Sequence, residues 1–379
     1  MLPYTYHRIT SYSKRSMDNK PSKLRSTKQQ ELLTTLRGEI VQGVFAAGDR
    51  MPTRVELEER LGVSWFTIQQ AFDALRREGF IRTDGRRGTF VVETPPHLHR
   101  YALIFPRHGD GIHGQSRLYE AFANAAEQIQ QKMSHIDWAL FNLHDRSDEK
   151  DYNDLLKQIN THRLAGLIFV MSPFHLNQTP IIQMPGVSRV MIASQPSNNI
   201  PAIWMDYQAF IEKAVSKLVA SGRSKLALIM ARMTASHVSM FKAAVTQQGA
   251  QTSNAWIQML HESHKAMAGN LIELLMNPDQ QQRPDGIIIL DDNLVEHVTL
   301  AIMGTGLRVK DDLDIVAYSN FPMPAVSAFP VYRMGFDSRQ MLEKCLAIID
   351  SQNANQPCEF RTLIGPVCEP VVAAQKYIT

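Results

Sequence analysis

The chain has 379 residues and a formal net charge of +3, with 44% hydrophobic and 20% charged residues, enough for two or three domains with sizeable cores. No apolar run reaches the length of a membrane span, and the opening MLPYTYHRITSYSKRSM lacks the apolar centre of a signal peptide, so a cytoplasmic protein without a membrane partner is expected. Three cysteines, Cys345, Cys358 and Cys368, an odd number without a CxxC, exclude a disulfide framework and a zinc ribbon.

The charge is unevenly spread. Residues 1–94 carry 16 Lys/Arg against 11 Asp/Glu, whereas the remainder carries 24 against 26, so the positive excess travels with the first quarter of the chain. Residues 1–25 are polar, Ser/Lys-rich and aperiodic and read as a flexible arm; Met17 offers an alternative start.

Residues 26–94 read as three short helices and a two-stranded hairpin. Thr53-Arg54-Val55-Glu56 is a capping box that opens a helix running to Leu61, and Gly62-Val63 makes the tight turn between two crossing helices. Ser64 caps a third helix, in which Ile68, Ala71, Phe72 and Leu75 recur at i, i+3, i+4 and i+7 and face a small core. Trp65, Gln69, Gln70, Asp73, Arg76 and Arg77 therefore face outward. Phe80–Thr83 and Thr89–Val92 read as hairpin strands around the turn signal Asp84-Gly85, with Arg86 and Arg87 at the tip, placed to meet phosphates or a minor groove. An isolated Arg-Arg pair ordinarily reads as a solvated turn; its place behind a helix-turn-helix favours DNA.

Spaced landmarks in this segment resemble the winged-helix domain of the GntR regulators: Ile40 and Gly43, Gly48-Asp49-Arg50-Met51-Pro52, Leu61-Gly62-Val63-Ser64, Thr67, Ala71 and Leu75, Glu78-Gly79, and Gly88-Thr89-Phe90-Val91. The resemblance implies DNA contacts from Arg54, Ser64, Thr67 and the wing Arg86–Gly88. Trp65 and Gln69 stand where that family usually has arginines. Tryptophan cannot make the bidentate pair that reads guanine, whereas glutamine pairs with adenine, so a different operator is expected. Gln70 completes the outward face.

Glu93-Thr94-Pro95-Pro96-His97 reads as an extended, stiff linker, residues 95–100 joining the two parts. Residues 101–379 then alternate strand and helix. Apolar runs lie at 101–105, 137–143, 166–171, 189–193, 225–230, 286–290 and 313–318. Helical stretches lie at 116–131, 148–162, 207–221, 237–248, 265–276 and 292–304. This is the α/β pattern of parallel sheets covered by helices, with ligands held beyond the carboxyl ends of the strands.

The landmarks Asp206, Ala220-Ser221-Gly222-Arg223, Phe241-Lys242-Ala243-Ala244, Arg283-Pro284-Asp285-Gly286-Ile287, Asp291-Asp292 and Gly306-Leu307-Arg308-Val309 resemble the effector domain of the LacI/GalR repressors, itself similar to periplasmic sugar-binding proteins. Joined to a GntR-type reader, the arrangement is similar to the arabinose-repressor group. The resemblance implies two lobes closing on a small molecule, a homodimer on a pseudopalindromic double-stranded operator, and repression rather than activation. The family's ligand arginine falls on His237, its Asn-Asp pair on Asp291-Asp292, and its aspartates on Ser319-Asn320 and Ala193. A hydroxyl-rich effector needs polar clamps and an aromatic face, which Asp291, Asn320 and His237 supply with Trp204 or Phe329. For each the competing reading is a cap, a packing residue or a surface group. A sugar is the favoured effector.

Gly109-Asp110-Gly111-Ile112-His113-Gly114 is a GxGxxG and supports the alternative, an NAD(P)-binding oxidoreductase or nucleotide-sensing regulator. Against it, Pro106-Arg107-His108 loosens the turn, and no acidic residue follows at the required ~20 residues. The favoured reading is a loop at the cleft mouth from which Arg107 or His113 reaches the effector. No GxxxxGK[ST], HExxH or GxSxG occurs, and His261-Glu262-Ser263-His264 is a lone HxxH on polar sequence. The expectation is a DNA-binding transcription regulator controlled by a small molecule, without enzymatic activity, cofactor or metal.

Overall fold

The computed structural model describes residues 27–106, 117–143, 149–231 and 234–369. The arm at 1–25, the Gly109–Gly114 loop, Arg107 and His113 lie outside the described residues. The chain divides into two compact units, residues 1–93 and 94–379.

The first unit holds α1 (Thr27–Val41), α2 (Arg54–Leu61), α3 (Trp65–Arg77), β1 (Ile81–Asp84) and β2 (Gly88–Val91). Both halves of the capping box form: the Glu56 amide donates to Thr53 Oγ1 at 3.3 Å and the Thr53 amide to Glu56 Oε2 at 2.7 Å. Gly62, at φ 63°, ends α2, a left-handed position that glycine adopts without a Cβ clash. Ser64 caps α3, and the free amide of Trp65 donates to Glu58 Oε1 of α2 at 2.8 Å. The expected stripe of α3 is buried with Leu32, Leu33, Leu36 and Ile40 of α1 and with Leu57, Phe80 and Val91. Each leucine, isoleucine, valine or phenylalanine among them contributes about 1.5–3 kcal/mol by leaving water.

The hairpin is shifted from the sequence expectation by about one residue. Asp84 pairs with Gly88 inside the ladder, and Gly85–Arg87 form a three-residue 3-10 turn at the tip. Asp49–Met51 runs alongside β2, with the Val91 amide on Asp49 O and the Met51 amide on Thr89 O, each 2.8 Å.

In the second unit the linker expectation needs correction. Pro96–His99 make one helical turn, α4, rather than an extended connection. Proline at a first helical position is already set at a helical φ and has no amide to leave unpaired. His99 Nδ1 closes the turn on Pro95 O at 2.9 Å.

The first lobe contains β3 (Arg100–Pro106), α5 (Arg117–Lys132), β4 (Asp137–Leu143), α6 (Glu149–Asn160), β5 (Gly166–Phe169), α7 (Pro180–Gln183), β6 (Ser188–Ile192) and β7 (Ala202–Met205). The chain crosses to a second lobe with α8 (Tyr207–Ala220), β8 (Leu226–Met230), α9 (Ala235–Gln247), β9 (Ile257–Met259), α10 (Ala268–Leu275), β10 (Gly286–Ile289), α11 (Asp292–Gly304), β11 (Asp314–Phe321) and β12 (Tyr332–Asp337). α12 (Ser338–Asn353) and β13 (Arg361–Ile364) return to the first lobe, and β14 (Val367–Cys368) to the second.

The sheets run β13-β7-β6-β5-β3-β4 and β14-β12-β11-β10-β8-β9. Every pairing is parallel except β14 on β12. The expected α/β architecture with parallel sheets is therefore present. The strands β3, β5, β8 and β10 are near-continuously apolar and buried on both faces, as the interior of a parallel sheet requires. α12 docks on the first lobe through Gln352 Nε2 to Arg189 O at 2.9 Å and Asn353 Nδ2 to Ala165 O at 3.0 Å. Gly166 permits this approach, since a Cβ there would lie 2.6 Å from Ile349 Cδ1.

Candidate DNA interface and effector cleft

The outward face of α3 begins at its cap. Ser64 Oγ lies 3.0 Å from Thr67 Oγ1 and accepts the Thr67 amide at 3.4 Å. Trp65 is 52% exposed and Phe66 64%, unusual for large aromatics in a small domain. Gln69 and Gln70 are half-buried. The Gln69 amide is already engaged: Nε2 donates to Asp73 Oδ1 at 2.9 Å, and Arg76 Nη2 reaches the same oxygen at 2.7 Å. Bidentate reading of adenine uses both amide atoms; Gln69 keeps its carbonyl and the second Nε2 hydrogen, while the bond to Asp73 restrains the orientation of the amide.

Arg54, the first residue of α2, lies against α3. Its guanidinium carbon is 5.5 Å from the Trp65 ring centroid and 5.9 Å from that of Phe72. At the wing tip Arg86 and Arg87 are exposed, with Arg87 Nη1 3.6 Å from Asp84 Oδ2. Gly88, at φ 123°, lies where a Cβ would come 3.0 Å from Arg50 Nε.

In the second unit, strand ends and helix starts of the two lobes meet around Tyr207. Asp206 ends the crossover from β7 and caps α8, accepting the Ala209 amide at 2.9 Å. This sets Tyr207 beside Trp204, ring centroids 5.8 Å apart, and stacks it on Tyr318 of β11 at 6.1 Å and 13°. His237, in the first turn of α9, meets the Tyr207 ring edge-on at 5.0 Å, and its Nδ1 lies 2.8 Å from Thr234 Oγ1, the cap of its own helix. Burial lowers the His237 pKa, favouring a neutral imidazole.

A buried polar chain adjoins these rings. The Tyr318 hydroxyl donates to Asn320 Oδ1 at 3.0 Å, and Asn320 Nδ2 donates to Asp292 Oδ2 at 2.8 Å. Arg117 of α5 reaches across from the first lobe, Nε 3.5 Å from Asp292 Oδ2 and Nη2 3.2 Å from Met323 O. Burial, then the neighbouring Asp291 carboxylate, raise Asp292 to about 7, opposed by Asn320 and Arg117. Burial also pushes the Tyr207 phenol up to about 12.

The structure thus gathers Trp204, His237 and Asn320 around Tyr207, Tyr318 and Asp292. Asp291 adjoins them as the cap of α11, its Oδ1 accepting both the Asn293 amide and Asn293 Nδ2 at 2.9 Å. Phe329 is not brought into this group. It packs with Val331 against a separate core cluster containing Ala325 and Ala317. Sequence reasoning did not single out Arg117, Tyr207 or Tyr318, because a lone arginine or tyrosine at a helix start and a tyrosine within a strand carry no spacing signal. Among the described residues no group of three or more His, Cys, Asp or Glu is arranged to hold a metal, and no helix is long and apolar enough to cross a membrane.

Residues 28–91 match the family model of bacterial regulatory proteins of the gntR family. Residues 117–346 match that of periplasmic binding proteins and the sugar-binding domain of the LacI family. The chain is 21% identical over 325 residues to the HTH-type transcriptional regulator GntR of Pseudomonas aeruginosa, covering 79% of this chain and 89% of that one. It is 23% identical over 234 residues to catabolite control protein A of Priestia megaterium, 57% of this chain and 69% of that one. Among solved structures, a LacI family regulator from Arthrobacter sp. FB24, in complex with lactose, superposes with TM-score 0.54 at 15% identity, covering 72% of this chain and 97% of that one.

Proposed function

We infer the function from one premise: the chain belongs to the family of periplasmic binding proteins and sugar-binding domains of LacI type, and carries a gntR-family domain ahead of it. It is a transcriptional regulator of combined GntR/LacI type with an effector-binding domain. Beyond this we propose a cytoplasmic repressor, without enzymatic activity, that pairs through its sensor about a two-fold axis and sets two readers on a pseudopalindromic operator. Arg54, Ser64, Trp65, Thr67, Gln69, Gln70 and the Arg86–Gly88 wing form the DNA face of this reading.

The effector in this reading is a sugar. Asp291, His237 and Asn320 bind its hydroxyls, and Trp204 and Tyr207 cover its apolar face. The single observation that carries the reading is the convergence of these groups from both lobes on Tyr207. It is supported by the sugar-binding family of the sensor and by a lactose-bound structural relative. Effector binding changes operator affinity, and the coupling is reciprocal, so the DNA complex binds the effector with correspondingly altered affinity.

Thermal unfolding of the full chain across a panel of sugars, sugar acids and nucleotides tests the proposal, because a ligand that binds only the folded sensor raises its melting temperature. A sugar or sugar acid is expected to stabilise. Stabilisation by dinucleotides alone would overturn the sugar reading and favour the Gly109–Gly114 alternative.

A further inference from the structure

Arginine is an unfavourable choice for the first residue of a helix, because the free amides there already carry positive charge. Arg54 nevertheless begins α2. No hydrogen bond or ion pair to another described residue compensates it, and its Nε is buried without an acceptor. Two rings of α3 hold it instead, Trp65 at 5.5 Å and Phe72 at 5.9 Å from the guanidinium carbon. Phe72 belongs to the core and Trp65 is half exposed, so Trp65 closes the outer side of the arginine's seat. Trp65 is itself fixed, its amide donating to Glu58 Oε1 of α2 at 2.8 Å and its helix capped by Ser64.

A ring face attracts a guanidinium through the plane of the cation and leaves the in-plane N–H fork unspent. The seat therefore orients five donors and satisfies none of them within the described chain. The chemistry that completes it is a pair of closely spaced oxygen or nitrogen acceptors carrying negative charge or partial charge. On a duplex that means a backbone phosphate or the O6/N7 edge of a guanine.

We propose that Trp65 is the positioning residue for Arg54: its ring pre-orders the guanidinium for a contact with the duplex, and Trp65 contributes to DNA binding through that arginine. The proposal rests on the DNA-binding reading above. It accounts for a bulky aromatic at the start of α3, where the resembling family usually places a second arginine. An arginine already held against a ring loses less side-chain entropy when the contact forms.

The test is a double-mutant cycle in the full chain. A duplex is first selected from a random-sequence pool by the parent protein, and affinity is then measured over a range of salt for Arg54→Ala, Trp65→Ala, the double variant and Trp65→Phe. Arg54→Ala is expected to weaken binding roughly ten- to a hundredfold, the range for a charged hydrogen bond. Trp65→Ala should approach that loss, and the double variant should be no weaker than Arg54→Ala alone. Trp65→Phe, which keeps a ring face, should recover most of the affinity.

If the acceptor is a phosphate, both alanine variants lower the slope of log K against log salt by about 0.9. If it is a guanine edge, both relax the same base position instead. In the free protein, Arg54→Ala should shift the tryptophan emission of the parent but leave that of Trp65→Phe unchanged. Equal melting curves exclude a folding defect. Additive losses in the cycle, an unaffected Trp65→Ala, or emission insensitive to Arg54 would overturn the proposal. A parent chain that selects no duplex overturns the DNA reading along with it, an outcome distinct from a bound parent with an additive cycle.

Discussion

Arg117 Nε of the first lobe lies 3.5 Å from Asp292 Oδ2 of the second, and the arginine's own amide donates to Asn293 Oδ1 at 3.3 Å. The pair is asymmetric: Arg117 is 29% exposed and Asp292 only 3%. Removing Asp292 from water costs more than the partly hydrated arginine returns, which is why the carboxyl titrates near 7 instead of near 4. The contact joining the lobes therefore changes character within the physiological pH range.

Stability linked to Asp292 follows from that direction. Between the unfolded value near 4 and the folded value of about 7, the native chain holds a proton that the unfolded chain has lost. This contribution is fully present below pH 4, declines as pH rises, and is gone above 7. Asp292→Asn, neutral at every pH and still able to accept from Asn320, is expected to raise sensor stability at pH 8 by on the order of 2 kcal/mol. It should make little difference at pH 4. Urea unfolding at both pH values checks this, and an equal effect at the two would contradict it.

Arg117→Ala has the opposite dependence. At pH 8 it leaves an ionised, buried Asp292 without its cation, at an expected cost of about 1–2 kcal/mol once the partial exposure of the arginine is allowed for. At pH 5.5 the carboxyl is protonated and the loss should shrink to that of the hydrogen bond to Met323 O. A loss independent of pH would show that Arg117 acts by packing alone.

The parallel sheets were legible because β3, β5, β8 and β10 are short apolar runs between amphipathic helices, and burial on both faces demands that composition. β7 and β12 were not. Ala-Ile-Trp-Met follows an Asn-Pro-rich stretch, and Tyr-Arg-Met-Gly-Phe-Asp mixes a charge and a glycine into the strand. Gly335 is there because its Cβ would collide with Ser319 O of β11, a requirement set by the neighbouring strand and invisible in local pattern. In the reader, the capping box and the i, i+3, i+4 stripe fixed the helices because both are local. The Arg54–Trp65 stack joins starts of two different helices, and the Gln69–Asp73 bond depends on rotamers, so neither carried a sequence signal. Arg117 is the same case across lobes.

For the effector, Asp291→Ala and His237→Ala are expected to lower affinity for the stabilising ligand about ten- to a hundredfold, the loss of one charged or oriented hydrogen bond. Operator affinity without effector should stay nearly unchanged. Gly111→Val should leave a sugar response intact. Calorimetric titration of the three variants decides: a ligand sensitive to Gly111→Val and indifferent to Asp291→Ala would move the site to the glycine loop.

Sequence reading by Gln69 is constrained by its bond to Asp73. With one Nε2 hydrogen donated to that carboxylate, the amide is restrained in orientation and keeps its carbonyl and second Nε2 hydrogen, the pair that reads adenine. Gln69→Ala should cost about 1–3 kcal/mol on the preferred operator and relax that position. Asp73→Ala, which releases the amide from that restraint, should weaken the preference at the same position. A base-by-base binding scan identical for parent and both variants would remove Gln69 from the reading face.

The wing supplies the last expectation. Arg87 is 82% exposed, and its contact to Asp84 at 3.6 Å is shared with a longer one from Arg82, an exposed pairing that holds Arg87 weakly in water. Arg86 is exposed beside it on the 3-10 tip. Side chains this exposed and loosely paired suit phosphates, which reward charge wherever it arrives, better than base edges, which reward a fixed geometry. Arg86→Ala with Arg87→Ala should therefore weaken operator and unrelated duplex by the same factor and lower the salt slope by roughly 1.8, two phosphates at 0.9 each. The ratio of specific to non-specific affinity should hold. Measuring both affinities from ~50 to 200 mM salt separates this from base reading: a loss confined to the operator, with an unchanged slope, would place the wing on bases.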